Sequence, residues 1–236
     1  MGSQDSGESD FVNGTIEKKG YRKRWVRRVK MIPGHPFNEG VHMDTHHIVS
    51  AESVNVSRLG EILVKKGYDI NQIKNLVGFP ATLPGACQLR TQLHRGDHTH
   101  SRPSERPYHD YVASILKKKK VKLKSCYGKT KIKEDDSEVH KLLDPISKDV
   151  LFEINAFEIP LTAIFEHFED SSTAIGCANK FDVNPAKGAK IRCLHGRKHH
   201  QSPTNDGIDF RYQDSNARGN KKTITYTDKW EPRVGI

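Results

Sequence analysis

Apolar residues along this 236-residue chain come in short, broken runs, and each run predicts a short element. Val41 to Ser50 reads Val-His-Met-Asp-Thr-His-His-Ile-Val-Ser and predicts an extended strand. Side chains alternate along a strand, so the adjacent His46 and His47 should point to opposite faces. Ser57 to Lys66 predicts a helix, with Ser57 as N-cap, Leu59, Ile62 and Leu63 as the apolar stripe, and Gly67 as the stop. Tyr68 to Asn75 reads as a loop and Leu76 to Leu83 as an extended segment broken by Pro80. A helix is expected over Cys87 to His94, with Gly96 and Pro103 opposing its continuation. Tyr108 to Lys118 is the better helix, with Tyr108, Val112 and Ile115 at helical spacing. Val121 to Ser125 and Lys129 to Lys133 both alternate around Tyr127-Gly128, which predicts a lysine-rich hairpin. Farther on, Ile154 to Phe168 is helical in part, and Lys222 to Thr227 is strand-like. Pro33-Gly34-His35-Pro36 breaks the chain ahead of the first strand.

Charge divides this pattern into regions. The net charge is +10, a balance that favours a polyanionic partner. Lys18 to Lys30 holds eight basic residues and no acid, with Tyr21 and Trp25 interleaved. That mixture suits a phosphate backbone, the alternative being a solvated arm. Arg22, Arg24, Arg27 and Arg28 are its candidate contacts, with Arg95, Lys118 and Lys120 beyond it. Residues 117 to 133 hold nine lysines and no acid, which fits either phosphate contact or a blocked sheet edge. The sign then reverses, with eleven acids between Glu134 and Asp170. The reversal places a boundary at 134–138, and hence a basic arm (1–40), a core with the lysine hairpin (41–133) and an accessory region (134–236). No apolar run is long enough to cross a bilayer, and the polar N-terminus has no apolar segment of the kind that directs Sec export. The four cysteines form no C-x-x-C pair, so reduced thiols are expected.

Thirteen histidines against four cysteines turn attention to metal or proton chemistry. His94 and His98 have the i, i+4 spacing that puts two rings on one helix face. With His46 and His47 they could form an open metal site of three imidazoles, with the fourth beside it as a base. Asp44 suits a turn better than a ligand. A second group, Cys177, Cys193, His195 and His199, could hold a structural Zn2+, although unlinked thiols in a basic loop are the simpler reading.

The stretch from about 41 to 116 resembles the HNH/endonuclease VII superfamily, most closely its AHH nuclease branch. The matching residues are Thr45-His46-His47-Ile48, Gly67-Tyr68-Asp69-Ile70, Asn75 followed by Leu83-Pro84, and His94-Arg-Gly-Asp-His98 followed by Tyr108 and Val112. Thr45 stands where the branch has alanine, and Thr99 to Pro107 looks like an insertion that leaves His94, His98, His100 and His109 as rival ligands. The resemblance implies an α+β fold, a ββα-metal core elaborated with helices and followed by a less regular C-terminal region. It further implies that His46, His94 and His98 hold one divalent ion (Mg2+, Mn2+, Ni2+ or Zn2+), that His47 is the general base, and that Asn75 orients it. The implied activity is metal-dependent cleavage of DNA. The implied context is an antibacterial toxin or secretion-system effector, made in a bacterial cytoplasm, delivered to a recipient's cytoplasm and neutralised by an acidic immunity protein. Two rival readings remain: a non-enzymatic, zinc-containing nucleic-acid-binding module, and an interaction protein whose basic surface meets an acidic partner.

Overall fold

Two antiparallel strands lie at the centre of the described residues, β1 (Met43–His47) and β2 (Leu76–Pro80). The structure is a computed structural model that describes residues 13–94, 98, 106–130, 137–156, 158–161, 224–226, 228 and 230–236. In the register Met43 faces Pro80, Thr45 faces Gly78 and His47 faces Leu76. The two strands are not joined by a tight turn, because α2 (Ala51–Ser57), α3 (Gly60–Lys65) and a 3-10 turn (Ile73–Asn75) lie between them. α1 (Tyr21–Val29) precedes the strands, and α4 (Leu83–Leu89), α5 (Tyr108–Lys118), α6 (Lys120–Ser125) and α7 (Glu138–Asn155) follow. The fold is α+β, as an HNH-type core requires.

Each face of the sheet carries its own apolar cluster. Val77 and Phe79 of β2 join Leu63, Tyr68, Tyr108, Val112, Leu116, Leu143 and Val150 in the larger one. Leu76 and Met43 face the other way and join Trp25, Val29, Val41 and Tyr226. Gly78 makes the second packing feasible. A Cβ there would lie 2.1 Å from Trp25 Cζ2, so only glycine lets the indole rest on β2. The outer edge of β2 is covered by the last residues of the chain. Gly235 N–H donates to Leu76 O (2.6 Å) and Gly78 N–H to Ile236 O (3.3 Å), which hides a strand edge otherwise open to pairing.

Several sequence expectations are corrected here. Of the helix expected over 57–66, α3 covers Gly60–Lys65, while Ser57 belongs to a separate helix, α2. Ser50 caps α2 by accepting from Ser53 N–H (3.0 Å), and Arg58 at φ 59 stops it before α3 starts. Ser57 therefore ends a helix rather than beginning one. The helix expected over 87–94 ends at Leu89, because Arg90 adopts the left-handed conformation (φ 55). The first half of the lysine hairpin is α6. Val121 and Leu123 alternate in sequence, yet two residues on a helix lie about 200° apart, so Leu123 is buried and Val121 exposed. Residues 131–133, in its second half, lie outside the described residues. The basic arm is α1, folded onto the sheet through Trp25 and Val29. Asp44 lies in β1 and pairs with Arg22 (2.9 Å) instead of forming a turn.

The charge reversal at 134–138 does not separate one core from another. α7 begins there, and Val139, Leu143, Ile146, Val150 and Ile154 enter the same cluster as Tyr68 and Tyr108. From its end, the buried Gln92 draws in residues 159–161. Its amide donates to Ile154 O (2.8 Å) and Ile159 O (2.7 Å), while its oxygen accepts from Leu161 N–H (2.9 Å). The helix over 154–168 continues α7 by only one residue beyond its predicted start, and residues 157 and 162–168 lie outside the described residues, as do 222, 223 and 227 of the strand-like piece.

Candidate functional site

Strand alternation sends His46 and His47 to opposite faces, and each enters a different environment. On the α5 side, His46 meets His94, His98 and Tyr108. The three imidazole centroids are 4.9 Å apart in every pairing, and one ring nitrogen from each lies within 4.8 Å of the others. His94 is held at the end of β2, where its N–H donates to Pro80 O (2.9 Å) and its ring stacks on Phe79. His98 takes the left-handed conformation (φ 59). Its partnership with His94 is therefore made by the chain path after α4, not by the helical i, i+4 spacing.

Hydrogen-bond accounting assigns the protons. Tyr108 Oη donates its only proton to the carbonyl of Ile48 (2.6 Å). It must therefore accept from His46 Nε2–H (2.8 Å), which leaves His46 Nδ1 as a bare lone pair, 3.0 Å from His94 Nε2. His98 Nδ1 meets the carbonyl of Leu161 and can only donate to it, so its Nε2 is also bare. Burial, reinforced by the neighbouring imidazoles, holds His46 well below the usual histidine range and pushes His98 down to about 3. Burial also raises the Tyr108 phenol, keeping its donor proton in place. Imidazoles gathered this closely, with the outer nitrogens of His46 and His98 fixed by a hydroxyl and a carbonyl, fit a divalent ion.

On the other face, the His47 ring lies 4.3 Å from the Tyr21 ring of α1 and tilts 53° against it. Its Nε2 lies 3.1 Å from Asn71 Oδ1. The Asn71 Nδ2 donates to the Glu17 carbonyl (2.8 Å), which fixes the amide with its oxygen toward the ring. His47 is thus the Nε2–H tautomer, with its lone pair on Nδ1. Burial pushes it down to about 4, opposed by the Asn71 bond and reinforced by the charge of Lys18. Asn71 is itself held by Asp69, whose Oδ1 accepts its N–H (2.8 Å), and by Arg24, which bridges Asp69 Oδ2 (2.9 Å) and Asn71 O (2.7 Å).

Asn75 does not touch His47. Its oxygen accepts from Val49 N–H (2.7 Å) and Ser147 Oγ (3.1 Å), and its amide donates to Val49 O (2.9 Å) and Ile70 O (2.8 Å). It ties the exit of β1 to the loop before β2 and to α7, while Asn71 takes the ring contact expected of it. Nothing local in the sequence separates the two asparagines, because the contact depends on residue 17. Arg22 and Arg24, expected at phosphates, are committed to Asp44 and Asp69. Arg27, Arg28, Lys118 and Lys120 are exposed, and Arg95 lies outside the described residues. So do His100 and the candidate zinc group Cys177, Cys193, His195 and His199. His109 stands beside the triad, its ring 5.8 Å from His98 and its Nδ1 2.9 Å from Ser50 Oγ. Among the described residues no helix is long and apolar enough to cross a membrane.

A family model described as a nuclease family of the HNH/ENDO VII superfamily with conserved AHH matches residues 28–149, just over half of the chain. No curated protein and no solved structure matches it.

Proposed function

The chain belongs to the AHH nuclease family of the HNH/endonuclease VII superfamily, and from that premise we propose that it is a metal-dependent endonuclease acting on DNA, deployed as an antibacterial effector. The observation that carries the chemistry is the division of labour across β1: His46 in a triad of clustered imidazoles, and His47 with a bare Nδ1 on the opposite face.

In this reading His46, His94 and His98 hold one divalent ion, which when bound polarises the scissile phosphate and stabilises charge on the leaving 3′ oxygen. The protein's own groups do the rest. His47 Nδ1 takes a proton from the attacking water, and Asn71 stabilises the resulting imidazolium by continuing to accept from Nε2–H. Tyr21 limits the ring's rotation by packing against it. The water oxygen bonds to phosphorus as the bond to the 3′ oxygen breaks, and the departing 3′ oxygen takes a proton from solvent, giving 5′-phosphate and 3′-hydroxyl ends. The +10 charge supports a polyanionic substrate and equally an acidic immunity protein in the producing cell.

The test is cleavage of plasmid DNA, with a folded RNA in parallel, in Mg2+, Mn2+, Ni2+ or Zn2+, beside EDTA and His47→Ala. Wild type should nick DNA only with metal, and His47→Ala should lose at least about 10²-fold in rate while keeping its metal. RNA cleavage alone would overturn the DNA assignment. Folded protein that cuts neither would overturn the endonuclease, and the binding-module reading would replace it. For the effector role, expression in a bacterial cytoplasm should arrest growth in wild type and not in His47→Ala.

A further inference from the structure

Residues 13–19 form a strap stitched across the His47 side of the molecule. Gly14 N–H donates to Val64 O (2.7 Å), Thr15 N–H to Tyr68 O (2.8 Å), and Ile70 N–H to Thr15 O (2.9 Å). The approach is so close that a Cβ on Gly14 would lie 2.1 Å from the Tyr68 carbonyl oxygen. Glu17 O then receives the Asn71 amide (2.8 Å), and Gly20, at φ 63, turns the chain into α1, whose first residue, Tyr21, covers His47. Lys18 is thereby fixed between the residue that holds the orienting amide and the residue that packs against the base.

Three of the neighbouring cations are occupied. Lys19 pairs with Glu17 (2.5 Å), Arg22 with Asp44 (2.9 Å) and Arg24 with Asp69 (2.9 Å). Lys18 is exposed and makes no ion pair with any described residue. Its backbone is pinned beside the base by the Glu17–Asn71 bond and the Tyr21–His47 contact, so a group bearing negative charge bound there would supply the partner that it lacks among the described residues. The start of α1, whose first turn no side chain caps, adds positive potential beside it.

We propose that Lys18 is the phosphate-binding residue of this site, contacting a non-bridging oxygen of the scissile phosphodiester. This rests on the nuclease reading and adds to it the group that receives the substrate on the protein side. Lys18 balances charge that grows on the phosphoryl oxygens as the water oxygen bonds and the 3′ oxygen departs. It also gives the strap a role, since the stitching fixes the backbone of residue 18 beside the base and leaves its counter-charge to be supplied by substrate.

The experiment compares wild type, Lys18→Ala, Lys18→Arg and Lys19→Ala in two arms. In the first, metal-loaded protein cleaves plasmid DNA under single-turnover and steady-state conditions. Lys18→Ala should lose roughly 10²-fold in kcat, Lys18→Arg should recover most of it, and Lys19→Ala should match wild type, with metal content equal in all four. Undiminished cleavage by Lys18→Ala, or an equal loss in Lys19→Ala, would overturn the proposal. The second arm needs no activity. Metal-loaded protein with a diamagnetic ion is titrated with inorganic phosphate while the histidine ring resonances are followed by NMR. The His47 ring should shift in wild type and Lys18→Arg and stay still in Lys18→Ala. The same shift in Lys18→Ala, or none in wild type, would refute the contact. Wild type that shifts with phosphate but cuts no DNA would instead sink the nuclease reading and leave the phosphate site standing.

Discussion

His46 and His47 are neighbours in the chain, yet the two faces they look onto are built by different means. The His46 face is a cluster of like groups. Three imidazoles crowd together, and their outer nitrogens are held by Tyr108 and by the Leu161 carbonyl. Without a cation His94 Nε2–H can donate to His46 Nδ1, a bond that a bound ion would replace. The His47 face is a relay of unlike groups. Glu17 fixes Asn71, Asn71 fixes the ring, and one nitrogen is left open for a proton. A site that binds a cation gains from several equivalent donors, whereas a site that moves a proton needs one nitrogen held and the other free. Adjacent residues on a strand can supply both because the pleat keeps their surroundings apart.

The sharpest break in that comparison comes from removing a ligand. His46→Ala should lose the stoichiometric divalent ion and reduce cleavage to background. In wild type, stripping the metal with a chelator should lower Tm by roughly 10 °C, as follows from about 4 kcal/mol of linkage at a thousandfold excess over Kd. The Tm of His46→Ala should be insensitive to chelator. Metal analysis and calorimetry on both proteins decide the matter, and a variant that keeps a full equivalent of metal would mean that the triad is a structural cluster.

Next in size are the two asparagines, which should fail in opposite ways. Asn75 is fully buried and bonds three regions of the chain. Asn75→Ala leaves several buried partners unsatisfied and should cost on the order of 3–5 kcal/mol. Asn71→Ala removes a bond to the base and should cost about 10- to 100-fold in kcat with a smaller loss of stability. Denaturant melts beside single-turnover rates separate them, and a variant pair with the reverse pattern would return the orienting role to Asn75.

That pair also marks how much of the molecule can be read from its sequence. The strand that separates His46 from His47 and the helix over Tyr108–Lys118 are legible because each rests on periodicity within a short stretch, whereas the α+β class and the meeting of His46 with His94 and His98 are legible through the family motif. Asn71 is not legible because its contact is made by residue 17, nor are the roles of Arg22 and Arg24, whose acids lie 22 and 45 residues away. α7 is hidden by its acidic surface and by Pro145, and its apolar stripe makes sense only against the core it closes. The lysine run misleads because alternation over five residues is compatible with a helix that buries Leu123 and exposes Val121.

Acid should weaken both faces of the metal-free protein, by smaller steps. His47 and His35 titrate at about 4 and His98 at about 3, below the 6.5 of the unfolded chain, chiefly through burial. The unfolded chain therefore binds protons first, so stability is fully present above about pH 6.5 and is lost as pH falls toward 4. Tm of the chelator-treated protein should be flat from pH 8 to 7 and fall by roughly 10 °C by pH 4.5. His47→Gln should flatten the lower portion of that fall on one face only. A Tm that stays level to pH 4.5 would show that these rings are already accessible to protons.

The smallest expected effect is at Thr45, and it tests whether the His47 face depends on the strap or on its own strand. Thr45 shares that face of β1, is buried opposite Gly78, and its hydroxyl meets no hydrogen-bond partner among the described residues. The family description names an alanine at the head of the motif. A buried hydroxyl with no partner contributes nothing that alanine would forfeit except the packing of its methyl group, and the two terms oppose each other. Thr45→Ala should therefore change stability by no more than about 1 kcal/mol in either direction and leave kcat within about twofold. Asn71, Tyr21 and the Glu17 carbonyl remain in place to hold the base, so kcat has no route through residue 45. A tenfold loss of kcat in folded Thr45→Ala would show that the strand itself helps to set the His47 ring, and that the division between the two faces is less complete than their hydrogen bonds imply.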